Sequence, residues 1–296
     1  MISRFRHSWM LVLATLAVSS FAQAQSESKG VRVYSVGHSF HYFMPPILTD
    51  IAKKAGLSEH KQVGLSAIGG SRVIQHWNKI DKKDTPAEMN QTRELLKAGK
   101  IDVFTMSPIH LPDDGIENFV KLAVESNPKI RVLVQEFWLP FDIYDTTFSK
   151  RPKDVDHDKP TIEELRKSHE PYFKGMDEHV VSLNKKYKTS AVFVVPVGQA
   201  VLSLREQIVS KKAPGLTKQS ELFTDAIGHA RPPLRVLVAY CYYAAIYQKS
   251  PVGLPVPGDL GDAKSATTQE LNRVLQEIAW DAVTSHPLSG VAAVKK

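Results

Sequence analysis

Cysteine is almost absent: Cys241 stands alone in 296 residues. An internal disulfide framework is therefore excluded, and stability must come from packing. Beyond Val18 no apolar run approaches the ~20 residues that a membrane-spanning helix needs. No strand leads into a G-x-G-x-x-G turn and no Walker-type loop is present, so the usual dinucleotide and nucleotide cradles are missing. The positive balance, 38 Lys and Arg against 31 Asp and Glu, forms no stripe. Lys53-Lys54, Lys82-Lys83, Lys185-Lys186 and Lys211-Lys212 are separated by acidic or apolar residues and read as solvated helix faces. Nucleic acid is thus not an expected partner, no cofactor is called for, and no internal repeat is visible.

Residues 1–24 combine a basic start (Arg4, Arg6), an apolar stretch from Trp9 to about Val18, and Ala22-Gln23-Ala24 before a cleavage point. They read as a secretory signal peptide. Export to the periplasm or the medium, without stable membrane insertion after cleavage, is the expectation. Residues 25–296 suffice for one large α/β domain with a substantial core.

Strands are expected at Val31–Val36, Gln62–Ala67, Ile101–Met106, Ile130–Phe137 and Ala191–Val195. Helical segments alternate with them: Pro45 to Ala55, Arg72 to Ile80, Pro86 to Ala98, Asp113 or Asp114 to Glu125, Thr161 to about Lys186 (with a break near Pro171 and Gly175), and Gln199 to Ser210. Two more, Pro233 to Gln248 and Thr267 to Ser285, are joined by a Pro- and Gly-rich connection. Residues 139–160 read as an inserted surface loop, and 262–296 as a C-terminal helix and tail. Near-continuous apolar strands alternating with helices predict a mostly parallel five-stranded sheet covered on both faces, a three-layer α/β/α domain.

In such sheets ligands bind at the C-terminal ends of the strands. Ser39, in Val36-Gly37-His38-Ser39-Phe40, follows the first strand. Gly69-Gly70 follows the second, Ser107 and His110 follow the third, and Asp225 and His229 lie beyond the last strand-helix unit. One crevice can hold them all. Acyl transfer by serine requires a base within hydrogen-bond reach, an acid that orients the base, and donors aimed at the oxyanion. Several neighbours have two readings. His38 and His41 have no third metal ligand and are expected to line the crevice mouth; no metal site is predicted. Phe137-Trp138-Leu139-Pro140-Phe141 is either a sugar-stacking wall or a plug under the inserted loop. Gln135 and Glu136 either bind substrate or brace loops. Cys241, inside an apolar helix, is expected in the core.

Val36-Gly37-His38-Ser39-Phe40 resembles the first block of the SGNH, or GDSL-like, hydrolases in a divergent G-x-S-F form. Leu222-Phe223-Thr224-Asp225-Ala226-Ile227-Gly228-His229, with the helix after it and Ser250-Pro251-Val252-Gly253-Leu254, is similar to the last block. The resemblance implies a flavodoxin-like fold and a serine esterase with Ser39 as nucleophile, His229 as base and Asp225 as its orienting acid. The N–H groups of Ser39 and of Gly70 or Gly69 would form the oxyanion hole. Two departures carry consequences. Three residues, not the usual two, separate Asp225 from His229, so that loop must bulge. The third-block asparagine is replaced by Thr105-Met106-Ser107-Pro108-Ile109-His110, leaving His110 or Ser107 as the side-chain donor. Expected substrates are small-molecule or carbohydrate esters, with a small acyl group on a sugar favoured and His38, Trp138 and Gln135 as contacts. The alternative is a non-catalytic carbohydrate-binding protein with a degenerate site.

Overall fold

Five parallel strands organise the computed structural model, which describes residues 30–80, 87–109 and 111–292. The expected signal peptide and His110 lie outside the described residues. The strands are β1 (Arg32–Gly37), β2 (Lys61–Ala67), β3 (Val103–Met106), β4 (Arg131–Gln135) and β5 (Val192–Val195). They lie in the order β2-β1-β3-β4-β5, the doubly wound order whose switch point falls between β1 and β3. β3 and β4 are almost wholly buried. Their continuous Val, Leu and Phe content reflects cover on both faces.

The helices are α1 (Met44–Lys54), α2 (Val73–Ile80), α3 (Ala87–Lys97), α4 (Asp114–Ser126), α5 (Ile162–Lys186), α6 (Val197–Val209), α7 (Pro232–Tyr247) and α8 (Ala266–Ser285). Right-handed crossovers put the connection from β1 to β2 on one face and those leading to β3, β4 and β5 on the other. α7, apolar all round and buried along nearly its whole length, packs against α1, α6 and α8. α2, α3 and α4 pack together. Cys241 lies in the core, within α7. No helix among the described residues is long and apolar enough to cross a membrane.

α5 corrects the expected break. A capping box between Thr161 and Glu164 starts it, and it runs unbroken through Pro171 and Gly175. Pro171 sits on the exposed side. The carbonyl it cannot serve, four residues back at exposed Lys167, faces water rather than a dry interior. The 139–160 segment contains only a short 3₁₀ turn, Pro140–Asp142; Leu139, Phe141 and His157 are buried, and most of its other residues are exposed or half-buried.

Candidate active site

Strand register brings three loops side by side. Gly37, the last residue of β1, pairs with Ala67 of β2, and Val36 pairs with Met106 of β3. The turn at Ser39 is therefore flanked by the Gly69-Gly70 turn and by Ser107. Gly70 has φ +59°, a conformation that costs an L side chain about 1–2 kcal/mol. Among the described residues, neither the Ser39 nor the Gly70 N–H meets a protein acceptor.

The Ser39 turn is closed by the His41 and Tyr42 N–H groups donating to the His38 carbonyl, at 2.9 and 3.0 Å. Ser39 Oγ lies 2.8 Å from His229 Nε2, and His229 Nδ1 lies 2.6 Å from Asp225 Oδ2. A carboxylate only accepts, so Nδ1 carries the ring proton and Nε2 is left to accept from Ser39. This is the tautomer a general base requires. Asp225 Oδ1 also accepts the Gly228 and His229 N–H groups, each at 3.1 Å. Burial opposes the Asp225 charge, but these bonds and the His229 ring hold its carboxyl below the usual range. The dyad is open to water, with His229 36% and Asp225 45% exposed at the side chain.

The third residue between Asp225 and His229 is absorbed locally. Gly228 adopts φ +93°, and a Phe223–Ala230 antiparallel bridge closes the loop. The Thr224 N–H also donates to the His229 carbonyl at 2.8 Å. The expected bulge is thus a small hairpin-like loop with its carboxylate folded inward.

Residues expected to touch substrate sit behind the site instead. Trp138 is 1% exposed. It stacks on Phe40 at 4.4 Å, while its indole N–H donates to the Gly228 carbonyl at 2.9 Å. Phe40 meets the His229 ring edge-on at 5.5 Å. Gln135, also buried, donates to the Phe40 carbonyl and accepts from His41 Nδ1. His38 and His41 do not line the crevice mouth: both are buried, and desolvation pushes their imidazoles down to about 3 and about 4. The Phe40 N–H faces His38 Nδ1 at 3.3 Å, so the His38 proton is on Nε2, 3.2 Å from Ser107 Oγ. The Pro108 backbone is a second hydrogen-bond partner of the His38 ring, and Ser107 is itself buried. Trp138 and Gln135, in the core run at and after the end of β4, and His38, buried in the Ser39 turn itself, are therefore supports of that turn and of the His229 loop.

Three residues went unnoticed in the sequence. His76 bridges Ser66 and Ser71, 2.7 Å from each, beside the Gly69-Gly70 turn. His157 reaches the Asp225 carbonyl from behind, and Arg205 anchors it through Asp142 and the His157 carbonyl. Arg205 is detectable in principle, since it falls on the apolar stripe of α6 with Val201, Leu204 and Ile208.

Among the described residues, Glu136, Asp177 and His286 bring three ligand-type atoms within 4.8 Å of one another. The Leu288 N–H occupies His286 Nδ1 at 3.2 Å. The neutral ring then carries its proton on Nε2, which does not suit a metal; Asp177 Oδ1, 3.3 Å away, makes no hydrogen bond to it. A groove of about 960 Å³ between α5, α6 and α8 contains none of Ser39, His229 or Asp225.

No family model matches the sequence, and no curated protein matches it. Among solved structures, the chain is similar to the crystal structure of a DUF4886 family protein from Bacteroides uniformis. The TM-score is 0.56 at 14% sequence identity, over 89% of this chain and 98% of that one. At that identity the likeness carries the fold and nothing more.

Proposed function

We propose that this chain is an exported serine esterase of the SGNH type, releasing a small acyl group from a carbohydrate. The observation that carries the reading is the continuous hydrogen-bond chain from Ser39 through His229 to Asp225 at the C-terminal edge of the sheet. The G-H-S-F block and the leader-like residues 1–24 support it. Solvent exposure of the dyad suits an ester whose alcohol part stays hydrated, as a sugar does.

In this mechanism Ser39 Oγ attacks the ester carbonyl while its proton passes to His229 Nε2. The resulting oxyanion is met by the N–H groups of Ser39 and Gly70, with the Ser107 hydroxyl as side-chain donor. Collapse breaks the bond to the alcohol, which takes the proton from His229, and an acyl-Ser39 ester remains. Water, deprotonated by His229, then releases the acid and regenerates Ser39. Asp225 stays ionised and holds the imidazole in register.

A fluorophosphonate probe tests this directly. It should add covalently to Ser39 in wild type and not at all in Ser39→Ala, whose thermal stability should change by no more than about 1 kcal/mol at this partly exposed turn. A panel of acetylated sugars and simple acetyl esters then ranks substrates. A folded wild-type protein that neither labels nor turns over any ester, yet binds sugars, would replace the esterase reading with a carbohydrate-binding one.

A further inference from the structure

The backbone of the Asp225–His229 loop is held from behind by one segment of the chain. Its carbonyls at Asp225, Ile227 and Gly228 accept, respectively, from His157 Nε2 at 3.0 Å, the Phe141 N–H at 3.2 Å and the Trp138 indole at 2.9 Å. All three donors belong to residues 138–157, which follow β4 and carry no regular structure beyond one 3₁₀ turn. The segment is itself pinned to α6. Arg205, buried, grips the Asp142 carboxylate with Nη1 and Nη2 at 2.5 and 3.1 Å. Its Nη2 also donates to the His157 carbonyl at 2.8 Å, and its Nε donates to Gln219 Oε1 at 2.7 Å. Phe141 and Asp142 both hold φ near +57° without being glycine (57° and 56°), a conformation retained where the surroundings over-determine it.

Within this arrangement His157 has no acceptor role. Its Nδ1 faces Asp142 Oδ2 at 2.9 Å and its Nε2 faces the Asp225 carbonyl. Both partners only accept, so both ring nitrogens bear protons. Its ring lies against that of Phe223, centroids 4.4 Å apart, at the base of the same loop.

We propose that His157 is a positioning residue for the Asp225–His229 dyad: anchored by Asp142 and Arg205, it donates to the Asp225 carbonyl and fixes the loop that delivers the base to Ser39. The inference rests on the esterase reading for its catalytic consequence, but not for its structural one. The Asp225 carboxylate and carbonyl belong to one residue. A loop that tilts when the carbonyl is released therefore moves Oδ2 away from His229 Nδ1.

Two substitutions separate this role from simple packing. The amide nitrogen of an Asn side chain takes the place of an imidazole Nδ1, and that of a Gln takes the place of Nε2. His157→Asn thus keeps the bond to Asp142 and loses the one to Asp225, whereas His157→Gln does the reverse. Two readouts are used on the full chain: the downfield proton resonance of the short His229–Asp225 bond, and kcat and KM on an acetyl ester. His157→Asn should lose the resonance and lower kcat on the order of 10²-fold, the scale of a misplacement near 1 Å, with KM little changed. His157→Gln should retain the resonance and most of kcat. Loss in both variants, or in neither, overturns the proposal. If His157→Asn does not fold, His157→Gln decides alone, since a folded Gln variant without the resonance overturns it. A wild type that shows the resonance but turns over no ester defeats the esterase reading and leaves the positioning test intact.

Discussion

Asp225→Asn is a substitution that nearly preserves shape and inverts the chemistry. The Asn carbonyl oxygen can occupy the place of Oδ1 and keep both loop bonds, from the Gly228 and His229 N–H groups. Stability should therefore fall by no more than about 1 kcal/mol. The amide group then faces His229 Nδ1 across the former 2.6 Å contact. Being a donor, it selects the tautomer with the proton on Nε2. That nitrogen can no longer accept from Ser39, and the loss is one of chemistry rather than of binding. In a buried serine-protease triad the same exchange lowers kcat by about 10⁴. Here the dyad is 36% and 45% exposed, and water competes for Nδ1, which eases the penalty. A loss of ~10²–10⁴ in kcat is expected, equivalent to about 3–5 kcal/mol of transition-state stabilisation. KM should hardly move. The assay is stopped-flow hydrolysis of an acetyl ester, with the rate of fluorophosphonate labelling as an independent measure of Ser39 reactivity. A folded Asp225→Asn protein within about tenfold of wild type, ~1.4 kcal/mol, would refute the claim that Asp225 sets the tautomer.

Other expectations concern the buried cluster behind the loop. Arg205→Met should destabilise the protein by about 1–3 kcal/mol, because it leaves the buried Asp142 carboxylate with His157 as its remaining partner and removes the donor to the His157 carbonyl; urea unfolding measures this, and no change would mean the pair is dispensable. Burial opposes the Asp142 charge, but His157 and Arg205 hold its carboxyl below the usual value. Its contribution is thus present above the unfolded value of ~3.9 and lost as pH falls through the lower folded one. Burial likewise opposes the His157 charge, yet the bonds to Asp142 and Asp225 raise its pKa. That contribution is complete below ~6.5 and lost as pH rises through the raised folded value. The stability gap between wild type and Asp142→Asn should therefore narrow at both ends of the pH range. A gap independent of pH from ~3 to ~9 would contradict the pairing.

The sheet and the Ser39–His229–Asp225 cluster are legible in the sequence because each leaves a local mark. Val, Ile and Phe runs bounded by glycine announce strands, and Ser39 and the Asp225–His229 pair sit in short blocks at predicted strand ends. The supports of those residues leave no such mark. Trp138 lies in an apolar run, where nothing in the sequence tells a sugar platform from an indole donating to a carbonyl ninety positions away. His38 and Gln135 carry the same ambiguity, since a polar side chain at a strand end faces either the crevice or a neighbouring turn. His157 stands in a lysine- and aspartate-rich stretch that looks solvated, and only its distant partner Arg205, placed among valines and leucines on α6, betrays the buried charge. The break expected in α5 failed because proline disrupts a helix through its unserved carbonyl, and on a wet face that carbonyl has water.

The hydrogen bond between Ser39 and His229 joins positions 190 residues apart, while the fifth strand is complete by Val195. In chain order all five strands, and the serine that follows the first of them, therefore precede residues 225–229. On the proposed mechanism the serine is an ordinary alcohol until that late loop docks onto the 138–157 segment. Reactivity of Ser39 toward an electrophilic probe would then report the docking of a loop that the chain supplies 190 residues later.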